Sequence, residues 1–186
     1  MWVKVTCLSL LLIFLIAGGM VWYYKVRLYH FLIVKPGVLY RSGWMRADSE
    51  KRIIWKYGIR TVVNLCLPTE KTYLKNYSDE QRICQKNGTK LVNLPLQGNT
   101  PPSKEQAAEW LRLLSKDENL PILVHCDQGV IRTNIMVAIY QMEFLDGENE
   151  MVLNKLPSFG HDLLVPKRTV MRDFILNYKP SRKADN

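Results

Sequence analysis

The stretch Leu123-Val-His-Cys-Asp-Gln-Gly-Val-Ile-Arg-Thr133 decides how this chain of 186 residues reads. Just before it, Pro121 to Val124 is a short apolar run of the kind that forms a buried strand. Just after it, Ile135-Met-Val-Ala-Ile-Tyr-Gln-Met142 predicts a buried helix. A strand, a tight loop and a helix start make a natural anion site, because the loop N–H groups and the positive end of the helix dipole converge. At that point stand Cys126, Arg132 and Thr133.

Each residue in the loop has a chemical reason to be there. A thiol attacks as thiolate, and a helix N-terminus or a neighbouring cation favours that form, so Cys126 is the candidate nucleophile. The planar fork of Arg132 suits two oxygens of a phosphoryl group. Gly129 permits a turn that a side chain would obstruct. The Thr133 hydroxyl can hydrogen-bond the Cys126 sulfur, and His125 is expected to orient the loop through hydrogen bonds to backbone. Asp127, Gln128, Gly129, Val130, Ile131, Arg132 and Thr133 are the candidate substrate-binding set.

His-Cys-x5-Arg-Thr between a buried strand and a buried helix resembles the signature of cysteine-dependent phosphatases of the dual-specificity and protein-tyrosine class. The similarity runs from about Lys35 to Lys179. Rhodaneses also use a cysteine loop, but their sulfur chemistry does not need the Arg-Thr ending. The resemblance implies an α/β domain with a central, mainly parallel sheet flanked by helices. It also implies hydrolysis of phosphate monoesters on phosphorylated protein through a phosphocysteine, with no cofactor and no metal, in a bacterial, membrane-anchored member. Phosphoinositide or other phospholipid is the alternative substrate. The rival class is a phosphate-binding module without turnover.

That rival arises from one departure. Relatives take the leaving-group proton from an Asp in the loop after the strand that here ends near Leu96, and Gln97-Gly-Asn-Thr-Pro-Pro102 has no acid. Asp127 is the first substitute, because a bound phosphate beside it would disfavour its ionisation and suit it to donate a proton. Glu105, also placed to complement a helix dipole, is the second. His161-Asp162, in a glycine-containing loop, is the third. Asn64-Leu-Cys66 resembles a segment of the phosphatase and tensin homologue family, which raises a reversible disulfide between Cys66 and Cys126 against the plainer reading of a buried apolar cysteine. Four cysteines make no disulfide framework in a domain this size.

Composition fits one globular domain, at 47% hydrophobic and 23% charged. Val5 to Tyr24 carries no charge, about the length a helix needs to cross a bilayer core. Trp22, Tyr23 and Tyr24 then Lys25 and Arg27 follow as an interfacial belt and a basic flank, so residues 1–28 read as a membrane anchor rather than a cleaved signal peptide. The basic flank and the reactive thiol both favour a cytoplasmic catalytic domain. Net charge is +9, a balance that suits an anionic lipid surface or anionic substrates. No basic helix or aromatic–basic interleaving points to nucleic acid, and oligomeric state is left open.

The catalytic domain is expected over residues 29–179 and a polar tail over 180–186. Strands are expected at Val38 to Ser42, Arg60 to Cys66 and Lys90 to Leu96, with Arg41 structural. Helices are expected at Asp48 to Tyr57, closed by Gly58, and at Tyr77 to Lys86, ended by Asn87-Gly88. Another is expected from Ser103, which with Gln106 forms a capping box. Glu150 to Leu156 and Lys167 to Tyr178 read as closing helices. Alternation of strands and helices gives the α/β class.

Overall fold

Strand β5 is the middle of a five-stranded sheet, and its four residues Ile122–His125 are all buried. The computed structural model describes residues 2–22, 28–98, 100–160 and 166–181, with side chains described from residue 12 in the first helix and from residue 169 in the last. The strands are β1 (Leu32–Lys35), β2 (Leu39–Ser42), β3 (Thr61–Asn64), β4 (Lys90–Asn93) and β5, in the order β1-β2-β5-β3-β4. β2, β5, β3 and β4 run parallel, and β1 pairs antiparallel with β2. The sheet is therefore mixed and mainly parallel.

The helices are α1 (Trp2–Trp22), α2 (Ala47–Tyr57), α3 (Lys71–Lys86), α4 (Lys104–Leu114), α5 (Ile131–Phe144), α6 (Asn149–Lys155) and α7 (Pro166–Asn177). Strand alternation sorts the core into two layers. Tyr40, Val62 and Leu123 pack with Ile53 and Ile54 of α2 and with Ile83 and Cys84 of α3. Leu39, Val63, Ile122 and Val124 pack on the other face with α4, α5, α6 and α7. α5 lies inside that second layer and is buried along nearly its whole length, which is why its sequence is apolar without a polar stripe. Trp110 of α4 is fully buried, and its indole N–H donates to Met136 O of α5 at 2.9 Å. Removing that side chain would cost about 3–5 kcal/mol.

Local expectations hold where the turn chemistry is explicit. Ser103 Oγ accepts from Gln106 N, and the Gln106 side chain accepts from Ser103 N. Gly58 closes α2 with a left-handed φ of 60°. Two elements differ. β1 was not expected; its apolar run lies beside the anchor-like segment and, as a mostly exposed edge strand, lacks a buried strand's pattern. α3 begins at Lys71 rather than Tyr77, since its first turns carry Leu74 exposed and no capping side chain.

The span expected from Val5 to Tyr24 is helical backbone through Trp22, but its side chains are described only from Leu12 onward. Among the described residues no helix is long and apolar enough to cross a membrane. Tyr23, Tyr24, Lys25 and Arg27 lie outside the described residues.

Candidate active site

The parallel register aligns the C-terminal ends of three strands, with Ser42, His125 and Asn64 side by side. Ligands of such sheets bind beyond these ends. The loop from Cys126 to Val130 leaves there and runs into α5. Gly129 N–H and the Thr133 hydroxyl both donate to Cys126 Sγ, each at 3.2 Å. Two donors thus converge on one sulfur.

The loop keeps this shape because its carbonyls are held from outside. Asp127 O accepts from Trp44 N at 2.9 Å. Gln128 O lies 2.7 Å from His30 Nδ1, which must carry the proton because a carbonyl only accepts. Gly129 O accepts from Arg41, which also donates to Asn134. In a trans peptide the N–H points opposite to the C=O. Outward carbonyls therefore turn the following N–H groups inward, as Gly129 N–H demonstrates. Gly129 has a φ of +69°, and a Cβ there would collide with Gly43 and Ser42 backbone. The Arg41 side chain is buried to 1% exposure; burial pulls its guanidinium down to about 10, against the upward pull of the Cys126 charge.

A pocket of about 240 Å³ opens above the loop, lined by Gly98, Cys126, Asp127, Gln128, Ile131 and Arg132. The structure thus gathers five of the expected site residues in one cavity. Gly129, Val130 and Thr133 lie behind it as buried support. Asp127 is the only carboxylate among the described residues that line it. Glu105 is fully exposed on α4, where its carboxylate accepts from the Ser103 hydroxyl, and it does not line the pocket. His161 and Asp162 lie outside the described residues.

Two groups at the site are absent from the sequence expectation. Glu70, in the loop after β3, binds both terminal nitrogens of Arg132 with its two carboxylate oxygens, the second at 3.0 Å. Arg132 NH1 also donates to Leu65 O at 3.2 Å. Burial pushes the Glu70 carboxyl up, but hydrogen bonds from Arg132, Leu67 N–H and the Cys66 thiol outweigh it and hold it below the usual carboxylate range. On Arg132 burial acts downward, and Glu70 and the Cys126 charge reverse that and raise it. Both stay ionised at neutral pH. Cys66 and Cys126 are free and buried, and burial pushes the Cys66 thiol up, so Cys66 stays protonated.

The second group lies under the loop. His125 was expected to bond backbone; instead its Nε2 lies 2.7 Å from Glu80 Oε1 of α3. Asn64 Nδ2 donates to the other Glu80 oxygen at 2.7 Å. Glu50 of α2 adjoins Glu80, and burial followed by the Glu80 charge pushes the Glu50 carboxyl well up. The sequence signal was present: two acids on the inward faces of amphipathic helices, which is uncommon without partners.

The family described as DSP-PTPase phosphatase fused to NAD+ Kinase matches residues 37–163. The chain is 28% identical over 113 residues to "Inositol diphosphatase DSP3" of Arabidopsis thaliana, covering 58% of this chain and 51% of that protein. It is 32% identical over 92 residues to "Protein tyrosine phosphatase type IVA 3" of Bos taurus, covering 47% of this chain and 48% of that protein. The chain therefore spans about half the length of the curated relatives it matches. Its fold is similar to the catalytic core of the PP-IP phosphatase SIW14 of S. cerevisiae, solved with citrate. The TM-score is 0.66 at 20% identity over 83% of this chain and 88% of that one.

Proposed function

The chain belongs to the family of DSP-PTPase phosphatases fused to NAD+ kinase, and on that premise we propose that it is a cysteine-dependent phosphatase hydrolysing phosphate monoesters. The carrying observation is the doubly hydrogen-bonded Cys126 sulfur at the floor of a pocket that Arg132 also lines. Phosphorylated protein is the first substrate reading, supported by the tyrosine phosphatase relative. Inositol phosphates or phosphoinositides are the second, supported by the relative named as an inositol diphosphatase and by the net charge of +9.

In this reading Cys126 Sγ attacks phosphorus in line with the ester oxygen. The P–O bond breaks as the P–S bond forms, and Asp127 gives its proton to the leaving oxygen. Arg132 and the loop N–H groups hold the equatorial oxygens as charge shifts among them. Water then attacks the phosphocysteine, Asp127 accepts the water proton, and sulfur leaves as thiolate onto Thr133 and Gly129.

The same proposal places α1 in a bilayer, with the catalytic domain on the cytoplasmic side. Support comes from a helix that exposes Leu12, Ile13, Phe14, Leu15 and Ile16 in succession, apolar on all sides rather than on one stripe. Lys25, Arg27 and Lys35 follow it.

The deciding experiment assays the full chain, and its Cys126→Ser variant, on a fluorogenic aryl phosphate and then on phosphopeptides and inositol phosphates. Turnover that Cys126→Ser abolishes supports the reading. Absence of hydrolysis in both would leave a phosphate-binding module instead.

A further inference from the structure

Residues 28–31, which join the N-terminal helix segment to the domain, do more than connect. Tyr29 and His30 both have positive φ, 32° and 62°, a conformation costly for residues with side chains and kept only where surroundings enforce it. Tyr29 O accepts from Gly43 N at 2.8 Å. A Cβ on Gly43 would come within 2.6 Å of the Tyr29 ring, so the segment is pressed against the end of β2. The His30 ring is stacked between Tyr29, centroids 4.8 Å apart, and Phe159, 4.1 Å apart. Clamped this way, its Nδ1–H meets Gln128 O at 2.7 Å.

That carbonyl belongs to the peptide whose N–H is Gly129 N, the donor to Cys126 Sγ. A peptide is one rigid plane, so fixing its oxygen fixes its N–H. Hydrogen bonds in series also polarise one another, so a donor on the oxygen strengthens donation by the nitrogen. We propose that His30 is a positioning residue of the phosphate loop, holding the Gln128–Gly129 peptide so that its N–H stabilises the Cys126 thiolate and later the phosphoryl oxygens. His30 acts on the sulfur through this peptide. The proposal rests on the phosphatase reading of the site, but one arm of its test does not.

The test uses the full chain with His30→Ala and His30→Asn, the latter because an asparagine amide can place a donor near the Nδ1 position. The first readout is the pH profile of Cys126 alkylation by iodoacetate, with Cys126→Ser as background. The expected profile of His30→Ala moves to higher pH, and His30→Asn returns part of the way. The second readout is turnover of an aryl phosphate. His30→Ala is expected to lose about tenfold in kcat with KM within about twofold, and His30→Asn to recover most of the loss. A packing role alone would lower thermal stability in both variants without moving the alkylation profile. Should His30→Ala fail to fold, the asparagine variant alone carries the test, with a small upward displacement expected. An unmoved alkylation profile in the folded variants overturns the proposal. Absence of wild-type turnover would sink the phosphatase reading, and the alkylation arm would still decide this one.

Discussion

Glu70 grips Arg132 by both carboxylate oxygens, so the guanidinium expected to meet phosphate is already oriented by a fixed anion. One edge of the fork is thereby occupied, and the remaining N–H groups are left for the phosphoryl oxygens. Glu70→Gln removes the charge and one acceptor while keeping the volume. On this account kcat falls on the order of tenfold or more, since charge-assisted hydrogen bonds are worth more than neutral ones. Steady-state kinetics on an aryl phosphate check it. An unchanged kcat with a lower KM would mean that Glu70 merely competes with substrate.

Asp127 is the carboxylate lining the pocket, so the proton for the leaving oxygen is assigned to it. Aryl leaving groups need little protonation and alkyl leaving groups need much. Asp127→Asn should therefore slow an alkyl phosphate by about a hundredfold or more and an aryl phosphate far less. Comparable slowing of both would move Asp127 from proton donor to binding residue.

Glu50 gives a pH signature to stability rather than to catalysis. Its folded carboxyl is pushed well up by burial and by the Glu80 charge, whereas in the unfolded chain it titrates normally. Between these two values the native state keeps a proton that the unfolded state releases, so stability from this group is full below the ordinary carboxylate range and is lost as pH rises above it. Glu50→Gln mimics the protonated form permanently. Thermal melts should show the variant gaining on wild type by about a few degrees between pH 5 and pH 8. A difference that is flat with pH would refute the buried proton.

The packed domain includes the residues from Leu28 onward. Leu28, Tyr29 and Phe31 pack against the core cluster around Tyr40 and Ile53, and His30 meets the phosphate loop. A chain beginning at Lys25 should turn over a small aryl phosphate at the full-length rate. One beginning at Leu32 should be slower by about tenfold or more. Equal rates in the two truncations would contradict a role for this segment.

The phosphate loop was legible because Cys126, Gly129, Arg132 and Thr133 each answer a local chemical demand within eight residues. The α/β class followed from periodicity, which buried strands such as β5 and amphipathic helices such as α4 express in their own residues. Glu70 and His30 were not legible, because their roles depend on partners 62 and 98 residues away in the chain. Nothing in the local pattern around an exposed-looking glutamate or a histidine beside an apolar helix says which loop it will meet. β1 was missed for a related reason: an edge strand is set by its neighbour β2 rather than by its own alternation.

The most direct measurement is the covalent state of Cys126 during turnover. The full-length chain is mixed with excess aryl phosphate, denatured within the first turnovers, and its peptides are analysed by mass spectrometry. The account predicts one phosphoryl group on the Cys126 thiol at early times, more of it in Asp127→Asn if water attack is slowed further than formation, and none on Cys66 or Cys84. Steady hydrolysis with Cys126 unmodified throughout, or a phosphoryl group carried by another residue, would contradict it.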